Sequence, residues 1–285
     1  MKLADFRHTH RLQVRQSEVD GKQVVFNAHY LSYFDVALEA YWRRLGLDEA
    51  QPLQRWGGSV FVRRATVDYL APARLRDGLA IALHCREIGR SSLRFDAAVF
   101  RGEQALAQAE IVQSFVPDGA ARSAPVPEAL RELVQHFNAG ETMMPLHLGP
   151  WAEVSAPASA VRAAVFTEEQ RIPAALDHDG ADEQAVHVLV RNRLGTALST
   201  GRLLQERPGE ARIGRMAVLP MLRSQGLGRR MLRALVQHAR ERGDRTVGLH
   251  AQWSAVPFYL AEGFVAAGPP FEEAGIVHQA MTLGL

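Results

Sequence analysis

A glycine-rich turn in the second half of the chain carries the clearest chemical signal. Gly226 and Gly228 stand two residues apart in LRSQGLGRRML, after an apolar run and before a run with helical periodicity. The first turn of a helix leaves backbone N–H groups unpaired, and the helix dipole adds positive potential there. Because glycine has no Cβ, a phosphate group can come close to those N–H groups. Three arginines can add charge-assisted hydrogen bonds: Arg223, Arg229 and Arg230.

The same turn has a simpler interpretation. It could be a solvated basic helix start whose glycines serve only to turn the chain. The stretch matches neither the G-x-x-x-x-G-K-[ST] nucleotide loop nor the G-x-G-x-x-G dinucleotide fingerprint. The turn alone leaves both interpretations open, and the neighbouring segments have to decide between them.

The segments around the turn follow a recognisable order. MAVLP precedes it and AVPFYLAEGF follows it, while VRAAVFTEEQRIP, HVLV and GIVHQAM stand further away. With these segments, residues from about 151 to 285 resemble the GNAT superfamily of N-acetyltransferases. The acetyl-CoA signature of that family, Q/R-x-x-G-x-G/A, is matched by Arg223, Gly226 and Gly228.

This resemblance implies that acetyl-CoA is a substrate, wedged between two splayed parallel strands. Its pantetheine arm would pair with strand backbone at 216–218, and its diphosphate would lie on the N–H groups of residues 224–229. Tyr259 matches a tyrosine that often protonates the departing thiolate, although a core aromatic is the alternative. Gln252 stands where many relatives have asparagine and keeps a side-chain amide. The implied cofactor contacts are Met216, Ala217, Val218, Arg223, Ser224, Gln225, Gly226, Leu227, Gly228, Arg229 and Gln252.

The acceptor amine is less well defined. By the same resemblance, four polar residues stand in segments that would line the acceptor pocket: Glu169, Gln170, Asp177 and His187. Any of them could act as a base through water. Surface salt bridges and helix caps explain them equally well, and a lone histidine such as His187 is more often structural.

In the first half, one carboxylate precedes a long amphipathic run. Asp20 lies in SEVDGKQ, and apolar residues then recur at helical spacing. Asn27 is the predicted N-cap of this helix and Gly46 its predicted stop. Alternating β-rich runs follow around 60–69, 79–88, 91–101 and 105–116. One long helix with consecutive strands predicts an antiparallel sheet wrapped round a single helix.

Residues from about 6 to 138 resemble the hot-dog fold acyl-CoA thioesterases of the 4-hydroxybenzoyl-CoA thioesterase type. The family pattern D-x-x-G-x-[VI]-x-x-x-x-Y-[LF] is met by Asp20 and Tyr30, but Gln23 replaces its glycine and Gly21 stands nearby. The resemblance implies that Asp20 is catalytic, that Asn27 and Tyr30 shape the substrate site, and that the helix N-terminus polarises the thioester carbonyl. It also implies a homodimer or homotetramer through this half. The alternative is that Asp20-Gly21 is a simple turn dipeptide.

The chain is therefore predicted to be a two-domain α+β and α/β protein. The expected division is a hot-dog domain over 1–138, a linker over 139–153 and a GNAT mixed α/β domain over 154–285. In the second half the patterns predict helices near 158–166, 226–242 and 255–262, and strands near 185–191, 195–205, 211–219, 246–251 and 278–283.

Bulk properties narrow the function. A formal charge of +2 over 285 residues gives no reason to expect a nucleic-acid partner, and no segment has transmembrane length. With a single cysteine, Cys85, we expect a cytoplasmic protein without disulfides. We also expect neither a metal nor a membrane partner. The prediction is a bifunctional enzyme that hydrolyses acyl-CoA and acetylates an amine. The alternative is one acetyltransferase whose hot-dog half only binds acyl groups or dimerises.

Overall fold

The computed structural model describes residues 1–47 and 56–285. Two units are present, Met1–Met143 and Met144–Leu285. The main elements of the first unit are β1 (His8–Gln13), α1 (Asn27–Arg44), β2 (Gly58–Tyr69), β3 (Gly78–Ile88), β4 (Ser92–Arg101), β5 (Gln104–Pro117) and α2 (Glu128–Asn138). Those of the second unit are β6 (Leu146–Pro150), α3 (Trp151–Arg162), α4 (Ala174–Asp177), β7 (Val186–Arg191), β8 (Ala197–Arg207), β9 (Glu210–Val218), α5 (Leu227–Arg242), β10 (Thr246–Gln252), α6 (Val256–Ala261), β11 (Val265–Ala266), β12 (Phe271–Glu273) and β13 (Ile276–Gly284).

In the first unit, a five-stranded antiparallel sheet of order β1-β3-β4-β5-β2 packs against α1. Tyr41 of α1 lies edge-on to Phe95 of β4 and to Phe137 of α2, with ring centroids 5.2 Å apart in both pairs. These aromatic side chains are buried and close the core between helix and sheet. The antiparallel sheet around one long helix, predicted from the order of one helix and four β-rich runs, is confirmed, and so is the hot-dog fold that the resemblance implied.

The ends of α1 differ in part from the prediction. Phe26 occupies the N-cap position without a side-chain cap hydrogen bond, and Asn27 is already the first helical residue. The prediction of Asn27 as N-cap is therefore wrong by one position. Gly46 has φ 77°, the left-handed conformation that commonly ends a helix and favours glycine.

In the second unit, the sheet has the order β11-β13-β10-β9-β8-β7-β6, with β12 paired to β13. Among the described residues, β9 and β10 are the only parallel pair, and every other pair is antiparallel. The buried face of α5 carries Met231, Leu232 and Leu235. This is the mixed α/β sheet expected for the second half.

The segment predicted as a linker over 139–153 requires a correction. Residues 146–150 form β6, which pairs with β7, and α3 begins at Trp151 and continues past Pro157. A π-helical segment, Ala163–Glu169, extends α3, so the helix predicted at 158–166 is longer. Proline and glycine suggested a loop here, but sheet pairing and the buried Val154 and Ala158 stabilise regular structure instead.

None of the described helices combines the length and apolar character that crossing a membrane requires.

Candidate active sites

The parallel strands of the second unit separate partway along their length. β9 and β10 pair at four positions only, from Glu210 opposite Thr246 to Ile213 opposite Leu249. Beyond that point β9 stays paired with β8, and β10 stays paired with β13. A bulge in β9, where Arg215 has φ 53°, lies at the start of this separation. The two strands therefore leave an opening between Met216 and the end of β10.

The glycine-rich turn connects the end of β9 to α5. Ser224 has φ 64°, and Gly226 has φ 79° at the N-cap of α5. The Gln225 N–H donates to the Leu222 carbonyl at 3.4 Å, so this one amide is engaged. Nothing in the described part of the chain accepts a hydrogen bond from five other amides: Ser224, Gly226, Leu227, Gly228 and Arg229. A left-handed residue followed by a helix start gathers such amides into an anion-binding concavity.

The two glycines are needed for different reasons. Gly226 has a positive φ, so its backbone conformation itself favours glycine. At Gly228 the φ is ordinary, and an added Cβ would lie 3.8 Å from Phe258 Cζ and 4.0 Å from Val218 Cγ2. These are normal van der Waals distances, so the fold has room for a side chain there. The open space at Gly228 lies between the end of β9 and α6.

Two arginines of the turn, Arg223 and Arg229, are held by carboxylates. Arg223 forms a bidentate pair with Glu169, at 2.6 and 2.5 Å, and its Nε donates to the Val218 carbonyl. The hydrogen bond from Arg223 lowers the pKa of Glu169. Arg229 pairs with Glu262 at 2.6 Å. Arg223, a predicted cofactor residue, is thus bound to Glu169. Glu169 was predicted to line the acceptor pocket, but it does not line the cavity described next.

A cavity of about 560 Å³ opens where β9 and β10 diverge. Its walls include five residues predicted from sequence to contact cofactor or acceptor: Gln170, Asp177, Met216, Gln252 and Tyr259. The Gln252 side-chain amide donates to Gln170 Oε1 at 2.9 Å, which links β10 to the end of the π-helical segment. The volume suits a small ligand or one arm of a larger one.

Tyr259 is placed on α6 with its ring buried between aromatic neighbours. Its ring lies edge-on to Phe258 at 4.9 Å and to Phe264 at 5.8 Å. No described residue forms a hydrogen bond with its hydroxyl, and burial raises its pKa to about 12. The hydroxyl therefore keeps its proton at neutral pH and is able to donate it to a thiolate.

In the first unit, Asp20 sits in a tight turn that holds one of its oxygens. Asp20 Oδ1 accepts hydrogen bonds from the Lys22 N–H at 2.8 Å and the Val24 N–H at 3.4 Å. No described residue bonds to Oδ2. Gln23 has φ 61°, so it adopts the left-handed backbone that favours glycine. The replacement of glycine by Gln23 therefore leaves the turn in a conformation that glycine would take.

The start of α1 lies close to this turn in sequence. The exposed Asn27 and its neighbour Ala28 have backbone N–H groups without an acceptor in the described part of the chain. The Asn27 carbonyl accepts a hydrogen bond from Tyr69. Tyr30 is buried, and its hydroxyl accepts the Ala73 N–H at 3.0 Å, so it anchors a loop to α1. Contact of Asn27 and Tyr30 with a substrate stays a prediction.

Comparison with known proteins agrees with this geometry. The family model of the acetyltransferase (GNAT) domain matches residues 154–285, and that of the thioesterase-like superfamily matches residues 14–134. A UPF0039 protein of Schizosaccharomyces pombe is 35% identical over 44% of this chain and 84% of its own length. The uncharacterised N-acetyltransferase YjcF of Bacillus subtilis is 34% identical over 42% of this chain and 86% of its own length. The chain joins a thioesterase-like domain to a GNAT acetyltransferase domain.

Two solved structures are similar to the separate halves. A thioesterase from Thermus thermophilus, solved with coenzyme A and Zn, is 31% identical, with a TM-score of 0.42 over 47% of this chain and 96% of that one. A candidate N-acetyltransferase from Lactobacillus plantarum is 28% identical, with a TM-score of 0.48 over 50% of this chain and 99% of that one.

In the GNAT domain the structure places His187 in the core. The residue lies on β7, is 1% exposed, and packs against Trp151 with ring centroids 4.8 Å apart. Its Nε2–H donates to the Asp182 carbonyl at 3.0 Å, and burial lowers its pKa. His187 does not line the cavity, and contact of His187 with a substrate stays a prediction.

A buried ion-pair network forms one wall of the cavity. Arg162, which is 1% exposed, donates to Asp177 at 2.8 Å and to Asp182 at 2.9 Å. Arg202 binds Asp179 and Asp182, while Arg215 binds Asp177 and Asp179. Both carboxylate oxygens of Asp177 are thus bonded to arginine, which gives it a structural position in the wall.

Sequence reasoning missed three cavity residues that can carry protons: His250, Glu273 and His278. His278 belongs to the GIVHQAM segment, which served only to support the resemblance. His250 and Gln252 are two residues apart on β10, a spacing that places both side chains on one face of a strand. That alternation, together with the antiparallel pairing of the last strands, was the signal that could have found them.

Proposed function

We propose that this chain is a bifunctional CoA-thioester enzyme. Its GNAT domain transfers an acetyl group from acetyl-CoA to an amine, and its thioesterase-like domain hydrolyses an acyl-CoA. The observation that carries the proposal is the set of five unpaired amides at the start of α5, next to diverging strands that open towards Tyr259. This arrangement can hold a diphosphate at one end and a thioester at the other.

In the GNAT domain, different residues bind different parts of the cofactor. The five unpaired amides within 224–229 bind the diphosphate, and the edge of β9 at 216–218 receives the pantetheine arm. The acceptor nitrogen attacks the thioester carbonyl, the C–N bond forms and the C–S bond breaks. Tyr259, which burial keeps protonated, gives its proton to the sulfur. Gln252 and Gln170 form the polar contact beside the reacting atoms.

A substitution at Gly228 tests the cofactor site without an intrinsic penalty to the fold. Gly228→Leu places a side chain in the open space between Val218 and Phe258, and leucine is a better helix former than glycine by about 0.5–1 kcal/mol. Acetyl-CoA at a hundred times its Kd is expected to stabilise the wild type by about 2.7 kcal/mol. Gly228→Leu is expected to lose this thermal shift.

The matched control is Gly284→Leu. Gly284 also has open space at its Cβ and an ordinary φ, but it lies at the end of β13. It is expected to keep the full response to acetyl-CoA. A wild-type protein whose melting temperature does not change at saturating acetyl-CoA would overturn the acetyltransferase proposal.

In the thioesterase-like domain, we propose that Asp20 attacks the thioester or activates water through its free Oδ2. The start of α1 polarises the carbonyl with its unpaired amides. Asp20→Asn separates chemistry from structure, because an amide oxygen can accept the same Lys22 and Val24 N–H bonds. We expect acyl-CoA hydrolysis to fall by about 10²–10⁴-fold, with the melting temperature unchanged.

The alternative for this domain is a non-catalytic module that binds acyl groups or dimerises. It would give equal hydrolysis rates for wild type and Asp20→Asn over a panel of acyl-CoAs, and that result would leave acetyl transfer as the one activity.

Whether this domain is an enzyme or a non-catalytic module, the proposal includes a homodimer or homotetramer, which is supported by β2. This strand is a sheet edge twelve residues long with Phe61 and Val62 exposed, a surface suited to pairing with a second copy.

A further inference from the structure

His278 has a side chain whose hydrogen bonding leaves one ring nitrogen available. Its Nδ1 lies 2.8 Å from the carbonyl oxygen of Ile276. A carbonyl oxygen can only accept, so this contact places a proton on Nδ1, and the neutral ring then carries its lone pair on Nε2. No described residue bonds to Nε2. His278 therefore presents an acceptor nitrogen and lines the cavity.

The position of His278 is fixed by the sheet. It pairs across the strands with Gln252 on one side and with Phe271 on the other. Its ring stacks on that of Phe271, with an interplanar angle of 26° and centroids 6.1 Å apart. Directly opposed residues of antiparallel strands point to the same face, so His278 and Gln252 share the face on which the cavity opens.

The neighbouring histidine of the cavity is differently placed. His250 Nδ1 lies 2.8 Å from Glu273 Oε2, and the Arg212 guanidinium contacts both ring nitrogens, at 2.7 and 2.6 Å. Neither nitrogen of His250 is thus open to a substrate. Of the two histidines that line the cavity, His278 has the free lone pair.

From this geometry, and resting on the acetyl transfer proposed above, we propose that His278 is the general base that deprotonates the acceptor amine. A primary amine is mostly an ammonium ion at neutral pH, and only its neutral form can attack a thioester. His278 Nε2 would take one proton from the ammonium. Glu273, across the β12–β13 hairpin, would stabilise the imidazolium that forms.

The electrostatics around His278 support this role. Burial acts to raise the pKa of the Glu273 carboxyl, but the hydrogen bond from His250 and the nearby charges of His250, His278 and Arg212 outweigh it and lower that pKa. Glu273 is therefore an anion at neutral pH. Glu273 stands two residues after Phe271, the strand partner of His278, so it shares the face of the hairpin on which His278 lies.

The proton balance closes with Tyr259. The ammonium gives its first proton to His278, and the neutral amine attacks the carbonyl carbon of acetyl-CoA. As the C–S bond breaks, Tyr259 protonates the sulfur, and the surplus proton on the new amide nitrogen returns to Tyr259. His278 releases its proton to solvent, so one amide, one CoA thiol and one free proton are formed.

The test compares acceptors that need a base with one that does not. CoA release is measured for wild type, His278→Gln and His278→Ala with a panel of primary alkyl amines, and with hydrazine at mildly alkaline pH, where its nitrogen is largely unprotonated. We expect kcat with alkyl amines to fall by about 10²–10⁴-fold. With hydrazine the loss is expected to stay below tenfold. The control His238→Gln, on α5, is expected to keep wild-type rates with both.

Equal losses for alkyl amines and hydrazine would indicate a structural role and overturn the proposal, and so would unchanged rates. Acetyl-CoA binding by His278→Gln is measured in parallel by thermal shift and is expected to be retained. If wild type binds acetyl-CoA but acetylates no amine of the panel, nitrogen-15 spectra of the labelled imidazole test the proposal by showing which ring nitrogen of His278 carries the proton. A tautomer with the proton on Nε2 would exclude His278 as base, whereas the Nδ1–H tautomer supports it. Absence of acetyl-CoA binding in wild type would instead refute the proposed function.

Discussion

The pair between Arg223 and Glu169 leads to a prediction about coenzyme A affinity. In the proposed site Arg223 binds the diphosphate, but in the described structure its guanidinium is held by Glu169 at 2.6 and 2.5 Å. Glu169 therefore competes with the diphosphate for the same donors. Glu169→Gln is expected to tighten the binding of CoA, because the pair no longer has to be broken.

The size of this effect follows from the exposure of the pair. The two side chains are 43% and 36% exposed, and exposed ion pairs contribute about 0.2–1 kcal/mol. Removal of Glu169 should therefore lower the Kd of CoA by about 1.4–5-fold. Arg223→Gln removes a charged hydrogen bond to the diphosphate, worth about 1.5–3 kcal/mol, and should raise the Kd by about ten- to a hundredfold.

Isothermal titration of CoA at one fixed ionic strength measures all four members of the double-mutant cycle. In the Arg223→Gln background, Glu169→Gln is expected to have no further effect. Glu241→Gln, at the far end of α5, makes the same change in net charge and serves as control. A Kd that is unchanged or higher in Glu169→Gln alone would refute the reasoning, because Arg223 would then not leave Glu169 for the diphosphate.

Three further predictions concern other parts of the molecule. Tyr259→Phe should lower kcat about 10²–10⁴-fold, while acetyl-CoA should still raise the melting temperature. Burial raises the pKa of Tyr259 to about 12, so its deprotonation should not lower the wild-type rate until the pH approaches that value. A loss of rate centred near pH 10 would argue against this role. Arg162→Met should cost about 3–6 kcal/mol in urea unfolding, because the buried Asp177 and Asp182 each lose one charged hydrogen bond worth about 1.5–3 kcal/mol, although each keeps another arginine; a loss below about 1 kcal/mol would contradict this. Phe61→Lys should convert the proposed oligomer to a monomer on size-exclusion chromatography, and a monomeric wild type would contradict the interface on β2.

The local parts of both sites follow from short stretches of sequence. Gly226 and Gly228 predicted a turn at a helix start, and the structure has Gly226 at the N-cap of α5 with φ 79°. The D-G-K-Q turn was also predicted, although Gln23 rather than Gly21 takes the positive φ. Such features depend on a few neighbouring residues, whose steric preferences and hydrogen bonds act within one turn of chain.

Expectations from the sequence are weakest where contacts with distant segments decide. His187 lies on β7, whose four central residues are all buried, so both faces of the strand are covered and alternation gives no direction. Pro145 and Pro150 suggested a linker, yet residues 146–150 form β6, which pairs with β7. In both cases packing between distant segments outweighed a local preference.

By itself, the sequence determined the two domains, the order of their motifs and the turn that exposes backbone amides at Gly226. Tertiary structure alone decided which side chains meet in the cavity. Arg162 finds Asp182, and His278 comes to lie opposite Gln252, because strand pairing and helix packing bring together residues that are far apart along the chain. Alternation along a strand can assign a histidine to one face, but whether that face lies in a core or beside a substrate depends on the neighbours that the fold supplies.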